Sequence, residues 1–317
     1  MTDLTWVWWN WNLLADLRLM LLYPFMVNLF EAGTVIAVVA GIVSYLVVLR
    51  RSSFASHALG HMGFTGAAGA VLFAVNPFYG LLLCTTVSGT GIALLGPKAS
   101  LRDVEIGTVL AFVLGVGLLF LAAYNGYATE AYSILFGQVV GISQAQVLLT
   151  VEAALPVLAV LALFYRPLLF ASLDEEVAAA KGMRPTFLGV VFMLTLAVAI
   201  SIAVTVIGVL LIFALTVTPG AIAIRLAKRP VYAVTAAVLI ALFVTWAGSF
   251  IAFYEVEPTS FFIVTLAFAL YLAVRAAPAV RRLAAWLARS GLPPRRRERP
   301  GPLPEGPNAV PEGASLP

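Results

Sequence analysis

The sequence predicts an all-α protein, a polytopic bundle of about eight to nine transmembrane helices, and three observations lead to that class. Of its 317 residues 62% are apolar, and the mean hydropathy is +1.01. Only 11% are Asp, Glu, Lys or Arg, against about one quarter in an average soluble domain. The apolar residues form runs long enough to cross about 30 Å of hydrocarbon at about 1.5 Å per helical residue. This composition excludes a soluble enzyme and a disordered or fibrous chain.

Nine apolar runs are predicted to span the membrane. The run from 187 to 224 is continuous apart from Gly208 and the polar Ser201 and Thr205. It therefore fits either one long bent helix or two helices joined by a tight turn. The predicted spans are residues 26–49, 54–74, 78–96, 104–124, 145–165, 187–204, 206–224, 231–253 and 258–275.

The basic residues predict the orientation of these spans. With nine spans, the loops after the first, third, fifth, seventh and ninth lie on one side, and they hold most of the Lys and Arg residues. The opposite loops carry Glu130, Glu255 and Glu257 without any Lys or Arg, and only Arg18 departs from the pattern. The positive-inside rule therefore predicts an external N-terminus and a cytoplasmic C-terminus. The net charge of +4 reflects this topology and gives no indication of nucleic-acid binding.

Three segments of different composition follow. Residues 1–22 contain four of the six tryptophans and are predicted to lie at the membrane interface. Residues 23–276 form the membrane domain. Residues 277–317 form a basic, Pro- and Gly-rich cytoplasmic tail that is expected to be largely disordered.

The loop at 166–186 is predicted to be cytoplasmic and to hold one short amphipathic helix. Asp174, Glu175 and Glu176 would occupy its first turn and Lys181 its last, which suits the helix dipole. Gly182 would end the helix.

His57 and His61 are the only histidines of the chain, and they stand four residues apart on the second predicted span. That spacing places both on one helix face, with His61 roughly 14 Å along the helix, near the middle of the bilayer. Neutral imidazoles bind zinc and other late divalent metals, so the pair is a candidate metal site. Two histidines hydrogen-bonded between helices are the alternative. A metalloprotease motif is disfavoured, because Ala58 stands where that chemistry needs a Glu.

Two further residues at membrane depth are candidates for the transport path. Glu152, early in the fifth span, fits either a proton or cation site or an interfacial carboxylate. Pro219 interrupts the seventh span and frees a backbone carbonyl, which is tolerated only against protein or a water-filled path. Such a kink serves packing equally well.

The chain has no G-x-x-x-x-G-K-[ST] phosphate loop. We therefore expect that it is not an enzyme and that the energy for transport comes from another source. One reading is the membrane subunit of an ATP-driven transporter. A second is a proton- or cation-coupled secondary carrier that uses His57, His61 and Glu152. A third is a receptor or structural membrane protein. The short cytoplasmic helix argues against the second, because a secondary carrier has no need of it.

Several stretches, in this order and spacing, resemble the permease subunit of ABC importers for zinc, manganese or iron over residues 23–275. In that family a segment of the second helix reads Asp-Ala-Leu-Ser-His, and its Asp and His are implicated in the metal path. Here His61 matches the family His, while His57 replaces the Asp. The stretches are YPFM at 23–26, VVLRRSSFASHALGHMG at 47–63, NPFYG at 76–80, RDVEIGTVLA at 102–111, SILFGQVVGIS at 133–143, YRPLLFASLDEEVAAAKGM at 165–183 and VIGVLLIFALTVTPGAIA at 206–223.

The resemblance implies a permease fold, a bacterial plasma-membrane location and a set of partners. It implies a second copy of the permease, an ATP-binding cassette ATPase inside and an extracytoplasmic metal-binding protein outside. It also identifies 174–182 as the coupling helix that docks on the ATPase, with Asp174, Glu175, Glu176 and Gly182 carrying the match. No cofactor is expected to stay bound. The softer His57 donor favours zinc as the transported ion, with manganese second.

Overall fold

The computed structural model describes residues 18–94, 99–124, 142–254 and 258–290, with the backbone alone at 99–102, 210 and 278–290. Residues 1–17 of the Trp-rich segment, Glu130, Glu255, Glu257 and the tail after 290 lie outside the described residues. The contacts discussed below belong to one compact unit that ends at Val274. Within the described part, the helices of four residues or more are α1 (Pro24–Leu49), α2 (Ser53–Leu72), α3 (Pro77–Leu94), α4 (Ala99–Ala123), α5 (Gln144–Leu173), α6 (Glu175–Ala180), α7 (Pro185–Ile207), α8 (Val209–Leu226), α9 (Pro230–Tyr254) and α10 (Thr259–Ser290).

The all-α prediction is confirmed, whereas the count of eight to nine spans is not. A long helix lies at each of the nine predicted positions, but only seven of those described are long and apolar enough to cross a membrane by length and composition. The other two are α2, which carries both histidines, and α8, whose described apolar part is Leu211–Leu226. Both are mostly buried, because α3, α4 and α8 pack around α2, and α1 and α9 pack on α8. Neighbouring helices thus take the place of lipid around these two.

Gly208 decides between the two readings of the run 187–224. Helix α7 ends at Ile207 and α8 begins at Val209, with Gly208 between them at φ +81°. A residue with a side chain rarely adopts this backbone conformation. The run is therefore two helices joined at one glycine.

The predicted loop at 166–186 is wrong over its first eight residues. Helix α5 continues through Arg166 and Pro167 to Leu173, and Asp174 follows as its C-cap. Pro167 has no N–H to bond the carbonyl of Leu163, and its ring crowds that carbonyl. Membrane helices tolerate such a proline, because water, neighbouring side chains and local adjustments of the backbone satisfy the freed carbonyl.

Small residues allow the helix backbones of the bundle to approach closely. A methyl group added at Gly220 of α8 would overlap the carbonyl of Ser44 in α1, and one added at Gly66 of α2 would overlap Gly80 of α3. Lipid gives no hydrophobic force between helices, so close van der Waals packing of this kind holds them together. These contacts fix α2 and α8, the two helices that build the candidate site.

Candidate metal-ion site and short helix

The two histidine side chains lie side by side on α2. Their ring centroids are 4.5 Å apart, and the ring planes meet at 78°. Both side chains are half-buried, whereas Ala58, Leu59 and Gly60 between them are buried. The i, i+4 spacing therefore brings the two imidazoles together on the open side of the helix, as the sequence predicts.

Two residues of α8 support His57 from the neighbouring helix. The ring of Phe213 packs edge-on against the His57 ring, with 5.2 Å between the centroids and 80° between the planes. The hydroxyl of Ser56, the residue before His57, lies 2.9 Å from that of Thr216. Both hydroxyl groups belong to buried residues, so this hydrogen bond joins α2 to α8 beside the histidines. Sequence patterns gave no sign of either contact, because nothing local pairs α2 with α8.

The pair supplies two nitrogen donors, fewer than a metal ion needs. Among the residues that the structure describes, no three His, Cys, Asp or Glu side chains come together in a way that could hold a metal. Glu152 is therefore not joined to the histidines. It lies exposed on α5, which packs against α1 and α7. Its position suits the interfacial carboxylate that was the alternative reading.

An open face continues from the histidines onto α8. Phe213 is 40% exposed and Ile224 is 38% exposed, and Val217 and Ala221 between them are half-exposed. The spacing of these four residues places them in one stripe along α8. Next to the half-exposed imidazoles, the stripe makes a mixed polar and apolar surface on one side of the chain.

Pro219 lies on the packed side of α8. It is buried, and the next residue, Gly220, meets the backbone of α1 at Ser44. The structure thus assigns this proline a packing environment and does not bring it to the open face that carries the histidines.

The predicted short helix after α5 is confirmed as α6. Asp174 is its N-cap rather than a first-turn residue, and its carboxylate accepts a hydrogen bond of 2.9 Å from the N–H of Val177. Gly182 adopts φ +79°, and its N–H donates to the carbonyl of Ala179, which is a glycine C-cap. Asp174, Glu175 and Glu176 are exposed. Helix α6 therefore presents three carboxylates to a partner or to solvent.

Contacts with α5 hold α6 in place. The ammonium of Lys181 lies over the ring of Phe170 in α5, 4.8 Å from its centroid, a distance at which a cation and an aromatic ring attract each other. Ala178 on the inner side of α6 is fully buried. A movement of α6 would therefore be passed to the end of α5.

Comparisons with known proteins relate this arrangement to transporters. Residues 22–277 match the model of a family described as the ABC 3 transport family. The manganese transport system membrane protein MntC of Halalkalibacterium halodurans is 25% identical over 66% of this chain and 72% of its own. The chelated iron transport system membrane protein YfeC of Yersinia pestis is 28% identical over 77% of this chain and 83% of its own. A chain of PsaBC from Streptococcus pneumoniae, solved in complex with a Fab, has the same fold, with a TM-score of 0.74 at 23% identity over 82% of this chain and 94% of that one.

Proposed function

Since the chain belongs to the ABC 3 transport family, as its motifs predict, we propose that it forms the membrane path of an ATP-driven importer of divalent transition-metal ions. His57 and His61 lie on that path. The observation that carries this role is the pair of adjacent imidazoles on the open face of α2. Polar groups at membrane depth are too costly to leave against lipid. Their face must line a water-filled passage or meet another subunit.

A second copy of the permease completes the site. Two imidazoles are half of the four ligands that zinc prefers in a closed site, and a second copy facing the first would enclose the ion without supplying a full set of protein ligands. The apolar stripe from Phe213 to Ile224 offers this copy a surface beside the histidines. With water filling the remaining positions, the ion is held weakly enough to move on.

The identity of the ion follows from two opposing arguments. Nitrogen donors at both His57 and His61 favour zinc over manganese, which prefers oxygen ligands. MntC and YfeC are named for manganese and for chelated iron, and these names support those two ions. The preference for zinc thus depends on His57 alone, because the family pattern has Asp at that position. We propose that all three ions pass and that His57 raises the relative rate for zinc.

The energy comes from a separate ATPase subunit, because the chain has no phosphate loop of its own. Helix α6, with its three exposed carboxylates, is the part of the chain that docks on this subunit. An extracytoplasmic binding protein delivers the ion from the opposite side. The basic loops support an arrangement with α6 and the C-terminus in the cytoplasm, in the plasma membrane of a bacterium. A secondary carrier is disfavoured, because Glu152 does not join the histidines in a relay.

ATP-dependent uptake of radiolabelled zinc, manganese and iron by the complex in proteoliposomes tests the proposal. The complex contains the permease, its ATPase and its binding protein. We expect uptake that requires ATP and the binding protein and that is abolished when the ATPase cannot hydrolyse ATP. Uptake driven by a proton or sodium gradient without ATP would overturn the proposal in favour of a secondary carrier.

A further inference from the structure

Arg50 stands at the end of α1 and reaches both helices that flank α6. It is the C-cap of α1, and its side chain is half-buried. The guanidinium lies 4.9 Å from the ring centroid of Phe192 in α7, and one of its nitrogens is 3.4 Å from the hydroxyl of Ser172 in α5. Phe192 is 1% exposed, so the stacked face of the guanidinium is shielded from water, where a cation–π contact is strongest.

Arg50 and Ser172 both line a cavity of about 560 Å³. One wall is the turn between α1 and α2, with Arg51 and Ser52, and the other walls include Ser172 and Glu175 at the end of α5 and the start of α6. Apolar packing is interrupted at a cavity, and packed atoms cannot transmit a displacement across a void. The contact between Arg50 and Ser172 joins two of the cavity walls.

The position of Arg50 in the chain connects α6 with the histidines. Ser172 lies two residues before Asp174, the N-cap of α6, and Phe192 lies in the first half of α7, the next long helix after α6. On the other side, Ser52 is the N-cap of α2, and His57 follows in the second turn of that helix. A shift of the end of α5 or of the first half of α7 would therefore reach the start of α2 through Arg50.

We propose that Arg50 is a positioning residue that transmits the movement of α6 to α2, and thereby opens and closes the path at His57. This inference rests on the proposed function, since it assumes that an ATPase moves α6. Arg50 touches neither the ion nor ATP in this role. Its charge and its planar guanidinium hold the α1–α2 turn to the end of α5 and the first half of α7.

The chain offers a matched control in the next residue. Arg51 is exposed and lines the same cavity, and it adopts φ +54°. An Arg51→Gln change removes the same charge one position away, and it leaves the contacts to Phe192 and Ser172 intact. Phe192→Leu removes the ring but keeps an apolar side chain at that place.

The experiment follows α2 directly and needs no metal. In a Cys84→Ala background, Phe54→Cys places a single thiol on the open side of α2, where Phe54 is 38% exposed. Its alkylation rate is measured in the complex with the ATPase, with and without ATP and vanadate. We expect ATP to change the rate by at least about fivefold in the parental complex and with Arg51→Gln, the lower end of the usual range of allosteric coupling. We expect Arg50→Gln to abolish the change, Arg50→Lys to keep part of it, and Phe192→Leu to add nothing to Arg50→Gln.

Metal ions imported per ATP hydrolysed and the melting temperature are measured on the same complexes. A low ratio with ATP hydrolysis and folding retained in Arg50→Gln supports the transmitting role. The transmitting role is overturned if Arg50→Gln behaves as Arg51→Gln does, or if ATP leaves the alkylation rate of the parental complex unchanged. It is also overturned if the ratio of imported metal to hydrolysed ATP falls only in step with the melting temperature. If the parental complex imports no metal, the proposed function fails, while the alkylation rates still decide the role of Arg50.

Discussion

The hydroxyl groups of Ser56 and Thr216 lie 2.9 Å apart between α2 and α8, both within the buried part of the bundle. This contact precedes His57 by one position on α2 and lies one helical turn from Phe213 on α8. It therefore fixes both sides of the contact between the His57 ring and the Phe213 ring. Hydrogen bonds between helices in a bilayer contribute about 0.6 kcal/mol on average and up to about 1.7.

Replacing either hydroxyl residue should lower stability by a similar amount. We expect Ser56→Ala and Thr216→Val each to cost about 0.6–1.7 kcal/mol, because each removes one of the two hydroxyls that form the interhelical bond. Equilibrium unfolding in detergent measures the effect. The double variant should lose less than the sum of the two single variants. Strict additivity would mean that the hydroxyls do not interact.

Close helix packing provides a second test of the fold. Gly220→Ala would drive a methyl group into the carbonyl of Ser44, and overpacking of this kind costs about 1–3 kcal/mol. Gly115→Ala in α4 is the matched control, since nothing lies within 4 Å of a methyl group there. We expect a lower melting temperature for Gly220→Ala and no loss for Gly115→Ala. Equal melting temperatures would contradict the close approach of α1 and α8.

The helix positions could be predicted largely because prolines and glycines bound the apolar runs. Four helices begin at Pro24, Pro77, Pro185 and Pro230, where the missing N–H costs nothing. The fifth span is predicted to end at 165, before Arg166 and Pro167, whereas the helix continues to Leu173. Sequence alone could not choose between a bend and a break at Gly208, since both place an apolar helix on each side.

The site could be predicted only as far as it is local. The spacing of His57 and His61 makes them neighbours on any α-helix, and in the structure their rings lie side by side. The contact of His57 with Phe213 depends on how α2 packs against α8, which no periodicity encodes. For the same reason the isolation of Glu152 from the histidines could not be read from the sequence.

The orientation prediction is tested by labelling single cysteines from one side. In a Cys84→Ala background, Glu176→Cys on α6 and Gln144→Cys at the start of α5 are both exposed positions. We expect an impermeant maleimide added outside intact cells to label position 144 and not position 176, because the basic loops favour the cytoplasm. Lysed cells, in which both should react, provide the control. Labelling of position 176 from outside would show that the orientation is the opposite of the predicted one.

The carboxylates of α6 are expected to serve docking and folding separately. Glu175→Lys with Glu176→Lys should reduce co-purification of the ATPase and ATP-dependent uptake without lowering the melting temperature, since both side chains are exposed. Asp174→Ala should instead destabilise α6 by about 1 kcal/mol, because it removes the N-cap, and Asp174→Asn should keep the cap. Metal binding by the separate binding protein is the control. Normal uptake with the doubly reversed charges would show that α6 does not dock the ATPase.

The two histidines are expected to respond differently to substitution. His61→Ala should lower ATP-dependent uptake by at least about 10-fold, on the scale of the losses seen when even the partners of metal ligands are removed. Folding should persist, because both side chains are only half-buried. His57→Asp, which introduces the family residue, should stay active and should raise manganese uptake relative to zinc, since manganese prefers oxygen donors. Competition between the two radiolabelled ions in one assay measures this ratio.

His57→Ala separates a ligand role from helix packing. As a ligand, His57 cannot be replaced by Ala, and uptake of both ions should fall even though the melting temperature is retained. As a packing residue it contacts Phe213, so Phe213→Leu is the matched control that perturbs the same contact without removing a donor. We expect Phe213→Leu to keep most uptake and the preference between the ions. If His57→Ala and His61→Ala both import zinc and manganese at the parental rate, the pair is no metal site, and its polarity serves only helix packing.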